Sequence, residues 1–411
     1  MQLIELNLVD YQKHANQVSQ RSFMQTEEMA ELLRRRGMDV RYIGLTDKGQ
    51  TLVSAIIYAI PMTGGLHLEI NSGPVCQDPA YLHHFYRLLK TYAKERGALQ
   101  VLVKPYDSYQ TFDSDGKATG PEQPDRIKDL TDNGFLHDGL LTGYPGGEPD
   151  WHYVKDLSTL TQDSLFASFS KKGKTLVKKT NSFGLTIREL DRDQLERFKA
   201  ITSATSERRE YPDKSLDYYQ DFFDAFGEKA AFTMASINFR VYLQHLEDSQ
   251  KQVQQKLDAV QEELDKNPNS RKKQNEHREL TSQVMSFESR KEEALKWIDQ
   301  YGEADIDLAA SLFVYTDHEL VYLFSGSLTE FNAFYAPVAL QEFAMRKALD
   351  KNIPFYNLLG IRGEFDGSDG VLRFKQNFNG TIVRKMGTFR YYPHPIKYKL
   401  IRSLKTILGR K

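Results

Sequence analysis

The sequence predicts an α/β (α+β) chain of two domains with a similar order of elements, the second interrupted by an antiparallel coiled-coil hairpin. Three observations carry this. Helical and strand-like periodicities alternate from the N-terminus to about residue 150. A similar order begins again at about residue 151, and between residues 243 and 299 a heptad seam runs out and back around a proline. A chain of 411 residues, 40% of them hydrophobic, is long enough to bury the cores this needs.

The first domain is expected over residues 1–150. A helix starts near Thr26 in "FMQTEEMAELLRRRG", with acids in its first turn, arginines in its last and a glycine stop, the arrangement the helix dipole favours. Strands follow in "VRYIGLT" and "TLVSAIIYAIP", then a helix over "PAYLHHFYRLLKTYAKERG" and a strand in "LQVLVKP". "DSYQTFDSDGKATGPEQP" reads as a polar loop before a short helix.

The second domain is expected over 151–242 and 300–395. Its order is strand "WHYVKDL", a basic helix around 164–182, strand "LTIREL" and a helix from about Asp193. Strands "AAFTMASI" and "DLAASLFVYT" flank the insertion; after them come strand "LVYLFSGSL", helix "APVALQEFAMRKALDKN" and strand "PFYNLLG".

In the insertion, Leu243, Leu246, Gln250, Val253, Leu257, Val260 and Leu264 step by three and four. "DKNPNS" breaks the helix, and Leu280, Val284, Phe287, Lys291, Ala294 and Ile298 form the returning seam. Each arm would reach roughly 30–35 Å at the helical rise of about 1.5 Å per residue. Such a hairpin serves as a dimerisation arm or brace, or its basic tip "KNPNSRKKQ" follows an RNA backbone. The tail, 396–411, lies in "HPIKYKLIRSLKTILGRK", which has no acid and sets Ile396, Leu400, Leu404 and Ile407 on one helical face. That is the pattern of a membrane-surface helix, and equally of a terminal helix packed on the body with its lysines solvated.

Lys+Arg 55 against Asp+Glu 56 leaves a net charge of −1, so the overall balance does not mark a nucleic-acid binder. The one cysteine, Cys76, excludes a disulfide framework and a CxxC zinc pattern, and reads as an inert thiol. The N-terminal stretch lacks the long apolar run of a signal peptide, and no segment has the length of a membrane span. A soluble or peripheral protein of the reducing cytosol is expected. No P-loop, HExxH or GxSxG motif occurs, His83 and His84 point to different helix faces, and no metal site is expected.

Two clusters of basic residues remain. "SFSKKGKTLVKKTNSFG" offers Lys171, Lys172, Lys174, Lys178 and Lys179, either a solvated face or a holder of an anion such as a pyrophosphate. "SERREYPDKSLDYY" adds Arg208, Arg209, Lys214, Tyr218 and Tyr219. In "GIRGEFDGSDGVLRFKQNFNG", Phe374 and Lys375 are predicted in a strand, on opposite faces. Lys375 would pair with a carboxylate, or supply positive charge to an oxyanion developing in acyl transfer. An amine acceptor would need no protein nucleophile, in keeping with the missing triad.

"YNLLGIRGEFDGSDGVLRFKQNFNG" resembles the GxxG…(Y/L)xFKxxFGG signature of the FemABX peptidyltransferases. "GSLTEFNAFYAPVALQEFAM" is similar to the family's GS…YAP motif, and "FMQTEEMAELL" to its N-terminal Q[ST]xxWA segment, with Met29 in place of the aromatic. The likeness spans almost the whole chain and, with the coiled-coil insertion, is greatest to the MurM/MurN branch. It implies two domains like GNAT acetyltransferases, the coiled coil inserted in the second. It also implies an aminoacyltransferase that moves an amino acid, alanine or serine favoured, from aminoacyl-tRNA to lipid II. The acceptor is the lysine side chain, or the bridge residue already added there, in interpeptide-bridge synthesis.

Aminoacyl-tRNA would be the co-substrate, with no other cofactor. The protein would be a monomer, cytoplasmic and peripheral to the inner face of the membrane, with the tail touching anionic lipid. Residue by residue, Phe374 and Lys375 match the family's Phe-Lys pair, the lysine near the ester carbonyl and terminal ribose of the tRNA. Lys214 and Tyr218 match a basic-x-x-x-Tyr spacing that contacts substrate phosphate, with a lysine where the bidentate arginine is usual. Arg209 stands beside them, and Tyr322 matches a strand tyrosine lining the site. Lys104 stands where an Asp-Pro is common, and Asn379 where glycine is. The alternatives are an acetyl-CoA-dependent GNAT enzyme, for which no [QR]xxGx[GA] loop is present, and a non-catalytic coiled-coil scaffold.

Overall fold

The computed structural model describes residues 1–147 and 149–407. The first half runs β1 (Gln2–Leu6), α1 (Leu8–Ala15), α2 (Glu27–Arg35), β2 (Asp39–Asp47), β3 (Gln50–Met62), β4 (Gly65–Asn71) and β5 (Val75–Cys76). It continues with α3 (Leu82–Glu95), β6 (Ala98–Lys104), β7 (Ser108–Phe112), α4 (Pro124–Thr131) and β8 (Leu136–His137). The second half begins β9 (Trp151–Asp156), α5 (Gln162–Leu165), α6 (Lys171–Asn181), β10 (Thr186–Glu189), α7 (Leu195–Arg209), α8 (Leu216–Phe226) and β11 (Ala230–Asn238). Then come α9 (Phe239–Lys266), α10 (Arg271–Tyr301), β12 (Asp305–Tyr315), β13 (Leu320–Ser327), α11 (Ala336–Asp350) and β14 (Phe355–Ile361). The chain closes with α12 (Gly370–Lys375), β15 (Thr381–Lys385), β16 (Phe389–Tyr391) and α13 (Pro395–Ile407).

The two halves repeat one topology. β1 to β4 form an antiparallel run, and α3 then crosses to β6, which lies parallel to β4. β10 to β13 do the same, and α11 crosses to β14, parallel to β13. The halves differ most at the second connection. Lys48 and Gly49, both at positive φ, turn β2 into β3 in two residues, the tight hairpin that right-twisted strands favour. In the equivalent place between β11 and β12 stand α9 and α10. Asn238 makes the change of structure possible: it closes the strand ladder opposite Asp305, and its side chain accepts from Arg240 N and Val241 N to cap α9.

Along α9 and α10, Leu246, Val260 and Ala294 are buried, and the other expected seam positions are half-buried between exposed neighbours. Lys273 bridges Glu263 at 2.8 Å near the turn, and Arg290 donates to the Tyr242 hydroxyl at 3.0 Å near the body.

A boundary at residue 150 does not divide the sheets. β7, in the stretch read as a polar loop, pairs with β15 in the second sheet, while β16, read as part of the second domain, pairs with β6 in the first. Tyr109 and Phe112 are the buried residues of β7, too few to mark a strand in the sequence. The edge that β15 offers decides the conformation. One hydrophobic cluster also joins the halves, with Tyr11, Phe23 and Met29 packed among Phe198, Phe222, Phe226 and Phe232. Each such fully buried aromatic contributes about 1.5–3 kcal/mol. Arg36–Asp221 at 3.6 Å and Arg35–Asp224 at 3.7 Å close the rim between α2 and α8.

α13 packs through Ile401, which lies against Gly64, and Tyr398, whose ring is 4.2 Å from that of Tyr392. Its other face leaves Ile396, Leu400 and Leu404 exposed at 76%, 60% and 57%. Residues 408–411 of the expected tail and the Ile407 side chain lie outside the described residues. Among the described residues no helix is long and apolar enough to cross a membrane.

Candidate active site

β13 and β14 are laddered only at Leu320–Tyr356 and Val321–Asn357, then part. Beyond Val321 and Asn357 the facing edges of the two strands are unpaired, which leaves backbone donors and acceptors that a ligand can use. The parting is built in. Leu359 takes a left-handed φ of 56°, an uncommon conformation for a leucine, and its N–H donates to Asn357 Oδ1 at 2.9 Å. Asn357 Nδ2 in turn donates to Glu319 Oε2 at 3.1 Å. Glu319 is buried between the halves, accepting also from the Tyr106 hydroxyl at 2.6 Å and from Phe23 N at 3.2 Å. Burial pushes its carboxyl pKa up, against these donors and Lys385.

Lys375 lies at the far end of β14. Contrary to the strand expected from sequence, Phe374 and Lys375 end a helix, α12. Asp369 starts it, its carboxylate accepting from Val371 N and Leu372 N, and Leu372, Lys375 and Phe378 then fall inward at a spacing of three. Lys375 is 3% exposed and its Nζ donates to the Gly360 carbonyl at 2.6 Å. Desolvation lowers its pKa to about 7, opposed by the charge of Asp369. Phe374 is half-buried, its ring 5.5 Å from that of Phe378.

The connection between the halves and β9 both meet this end. A β-carbon on Gly360 would meet Pro149 and the Tyr144 ring, so the connection between the halves lies directly over the strand end. His152 on β9 stands opposite Gly360 in the ladder, its pKa held well below the usual value by burial and by Lys385 and Lys375. Tyr322 on β13 stacks on Phe313 at 5.6 Å. Arg209 at the end of α7 is exposed and lies near both Tyr322 and Tyr144, partly offsetting the effect of burial on each phenol.

Tyr218, on α8, lies against β13, and Lys214 stands beside it in the preceding segment. Asp213 anchors that segment, accepting from Lys199 at 2.6 Å, the Tyr219 hydroxyl at 2.9 Å and Thr202 at 3.0 Å. The Lys214 ammonium is 5.2 Å from the centre of the Tyr218 ring, and Tyr218 meets Phe324 of β13 edge-on at 6.0 Å. A second cation joins it from the first half: the Arg36 guanidinium is 5.1 Å from the same ring. Thus Lys375 is tied to β14 at Gly360, Arg209 lies near Tyr322 of β13, and Lys214 and Arg36 meet at Tyr218, which reaches β13 at Phe324.

Sequence reading missed Arg36, Tyr144 and His152. Arg36 reads as the last turn of a helix, and nothing in its neighbourhood points to a tyrosine some 180 residues on. Cys76 is unsuited to nucleophilic work, since burial raises its thiol pKa to about 12. Lys104 faces Glu69 at 3.5 Å.

Residues 6–406 match the profile of the FemAB family. The chain is 27% identical over 397 residues, 94% of each chain, to aminoacyltransferase FemA of Staphylococcus aureus strain MRSA252, and equally to FemA of strain N315. The crystal structure of FemX superimposes with a TM-score of 0.76 at 20% identity, covering 98% of this chain and 100% of that one, an agreement of fold. The chain belongs to the FemAB family and is, with its relatives, an enzyme of the aminoacyltransferase type.

Proposed function

We propose that this protein transfers an aminoacyl group, alanine or serine, from aminoacyl-tRNA to lipid II in interpeptide-bridge synthesis. The acceptor is the ε-amine of the stem-peptide lysine or the α-amine of a residue already added. The observation that carries the reading is the buried Lys375 ammonium at the strand end where β13 and β14 have parted. The acceptor amine forms a bond to the ester carbonyl carbon, the C–O bond to the terminal ribose breaks, and the amine proton passes to the departing ribose oxygen. Lys375 offsets the negative charge that gathers on the carbonyl oxygen, in a site dry enough for one charge to count. Phe374 and Tyr322 line the pocket, and Arg209, Lys214 and Tyr218 hold the substrate's phosphates.

The exposed Ile396–Leu400–Leu404 stripe of α13, beside Lys397, Lys399, Arg402 and Lys405, supports a peripheral seat on an anionic membrane surface, where lipid II resides. One chain supplies every site residue named here, which supports a monomer as the working unit. The reading is tested by incubating the protein with lipid II, with and without an alanyl branch, and alanyl-, seryl- or glycyl-tRNA, then weighing the product. No mass gain with any pair refutes it. Sedimentation with anionic vesicles, compared with a chain stopped before Pro395, tests the membrane contact, and equal binding by the two removes it.

A further inference from the structure

We infer that the exposed face of α6 is the surface on which the RNA backbone of the donor lies, an inference that rests on the aminoacyl-tRNA reading above. Lys171, Lys172, Lys174, Lys178 and Lys179 fall within an arc of about 160° at 100° per residue, while Gly173, Val177 and Thr180 face the body. Residues 164–188 contain no acid. Among the described residues none of the five lysines is in an ion pair, whereas Arg35 and Arg36 at the end of α2 and Lys273 near the hairpin turn are matched by carboxylates. Five like charges crowded on three turns without counter-charge repel one another, so the face costs stability unless an anion covers it.

The position of α6 selects the anion. Its first turn is locked to the segment after Lys375: Ser170 N and Oγ both reach the Asn377 carbonyl, at 3.1 and 3.2 Å, and a β-carbon on Gly173 would fall 1.9 Å from the same oxygen. At its other end the Lys179 ammonium stands 5.6 Å from the centre of the Tyr335 ring, in the "FYAP" segment. The lysine face therefore starts beside the segment that follows Lys375. It is convex and divergent, so it does not wrap a single pyrophosphate, which asks for converging donors in a hollow. A row of point charges on an exposed helix suits successive phosphates of a nucleic-acid backbone, which need no base reading.

The test uses the full chain and a variant with Lys171, Lys172, Lys178 and Lys179 all replaced by Gln, exposed positions whose loss leaves the α6 core face intact. Binding of uncharged bulk tRNA is titrated at several salt concentrations. The variant should bind at least about tenfold more weakly at low salt, with the slope of log K against log salt reduced by about 3. The ratio of transfer from full aminoacyl-tRNA to transfer from an aminoacylated CCA trinucleotide should fall by a similar factor. Unchanged tRNA affinity and slope overturn the inference. So does a loss confined to inorganic pyrophosphate or to anionic vesicles. If wild-type protein transfers nothing from any charged tRNA, the proposed function fails instead, and the two failures are distinct.

Discussion

The Lys375 ammonium donates to the Gly360 carbonyl at 2.6 Å, joining a buried cation to the end of a strand that has parted from β13. The pairing holds the charge in place without neutralising it. Lys375→Met keeps the length and packing of the side chain and removes the charge. Transfer from aminoacyl-tRNA to lipid II should fall at least about a hundredfold, the scale of losing one electrostatic donor. Near-normal turnover by a folded variant would remove Lys375 from the chemistry.

The same lysine sets a pH dependence of stability. Burial takes its pKa from 10.5 to about 7. Between those values the unfolded chain holds a proton that the folded chain has lost, so stability rises with pH across the window. Below about 7 both states are protonated and the buried charge exacts its full penalty; above 10.5 neither is. Lys155 and Lys385, both lowered to about 8 chiefly by desolvation, act in the same direction. Urea unfolding of wild type and Lys375→Met should therefore show the variant gaining most near pH 6.5, and the gain shrinking by about pH 10. A pH-independent difference would mean that Lys375 is not held near neutrality in the folded state.

Gly173 is where α6 meets the segment after Lys375. Gly173→Ala places a methyl 1.9 Å from the Asn377 carbonyl oxygen, a backbone atom that cannot rotate away. Overpacking of this kind costs about 1–3 kcal/mol, outweighing the better helix propensity of alanine by itself. Chemical denaturation reads the loss, and transfer activity should fall with it because the Lys375 turn is displaced. A variant as stable as wild type would show that α6 and this turn move apart freely.

Glu319 ties the halves together beside the point where β13 and β14 part. Glu319→Ala leaves the Tyr106 hydroxyl, Phe23 N and Asn357 Nδ2 without their acceptor, each costing about 1–3 kcal/mol when buried. Stability should drop by more than about 2 kcal/mol, and by clearly less in Glu319→Gln, which keeps one acceptor. Equal losses in the two variants would assign the effect to packing volume rather than to these bonds.

Trimming the helical arm separates a brace from a dimerisation device. Replacing residues 251–287 by a short glycine-containing turn keeps Phe239, Tyr242, Leu246, Ala294 and Trp297 in the core. The trimmed protein should fold and keep the oligomeric state of the full chain, with a light-scattering mass lower only by that of the residues removed. A fall from dimer to monomer would assign the arm to dimerisation.

Much of this architecture is legible residue by residue. Thr26, with acids after it and arginines at the far end, caps α2 as read, its hydroxyl accepting from Met29 N. The alternating and continuous apolar runs give β2, β3, β6, β11, β12 and β13 in place, because strand burial is written in local hydrophobicity. The signature around Lys375 is likewise readable as a motif. Its conformation is not. Asp369 caps "GVLRFK" locally, but the coil is also held by Gly360 accepting the Lys375 ammonium, a contact between segments.

By itself, then, the sequence determined most of the longer helices and strands, the family motifs and the uncompensated charge on α6, all properties of neighbours along the chain. Only the tertiary structure decided that β7 and β16 cross between the sheets, that Arg36 and Lys214 meet at Tyr218, and that Lys375 is buried with its pKa near neutrality. The reason is physical. Strand exchange, cation–ring contact and desolvation depend on which distant surfaces exclude water together, and no local periodicity encodes that.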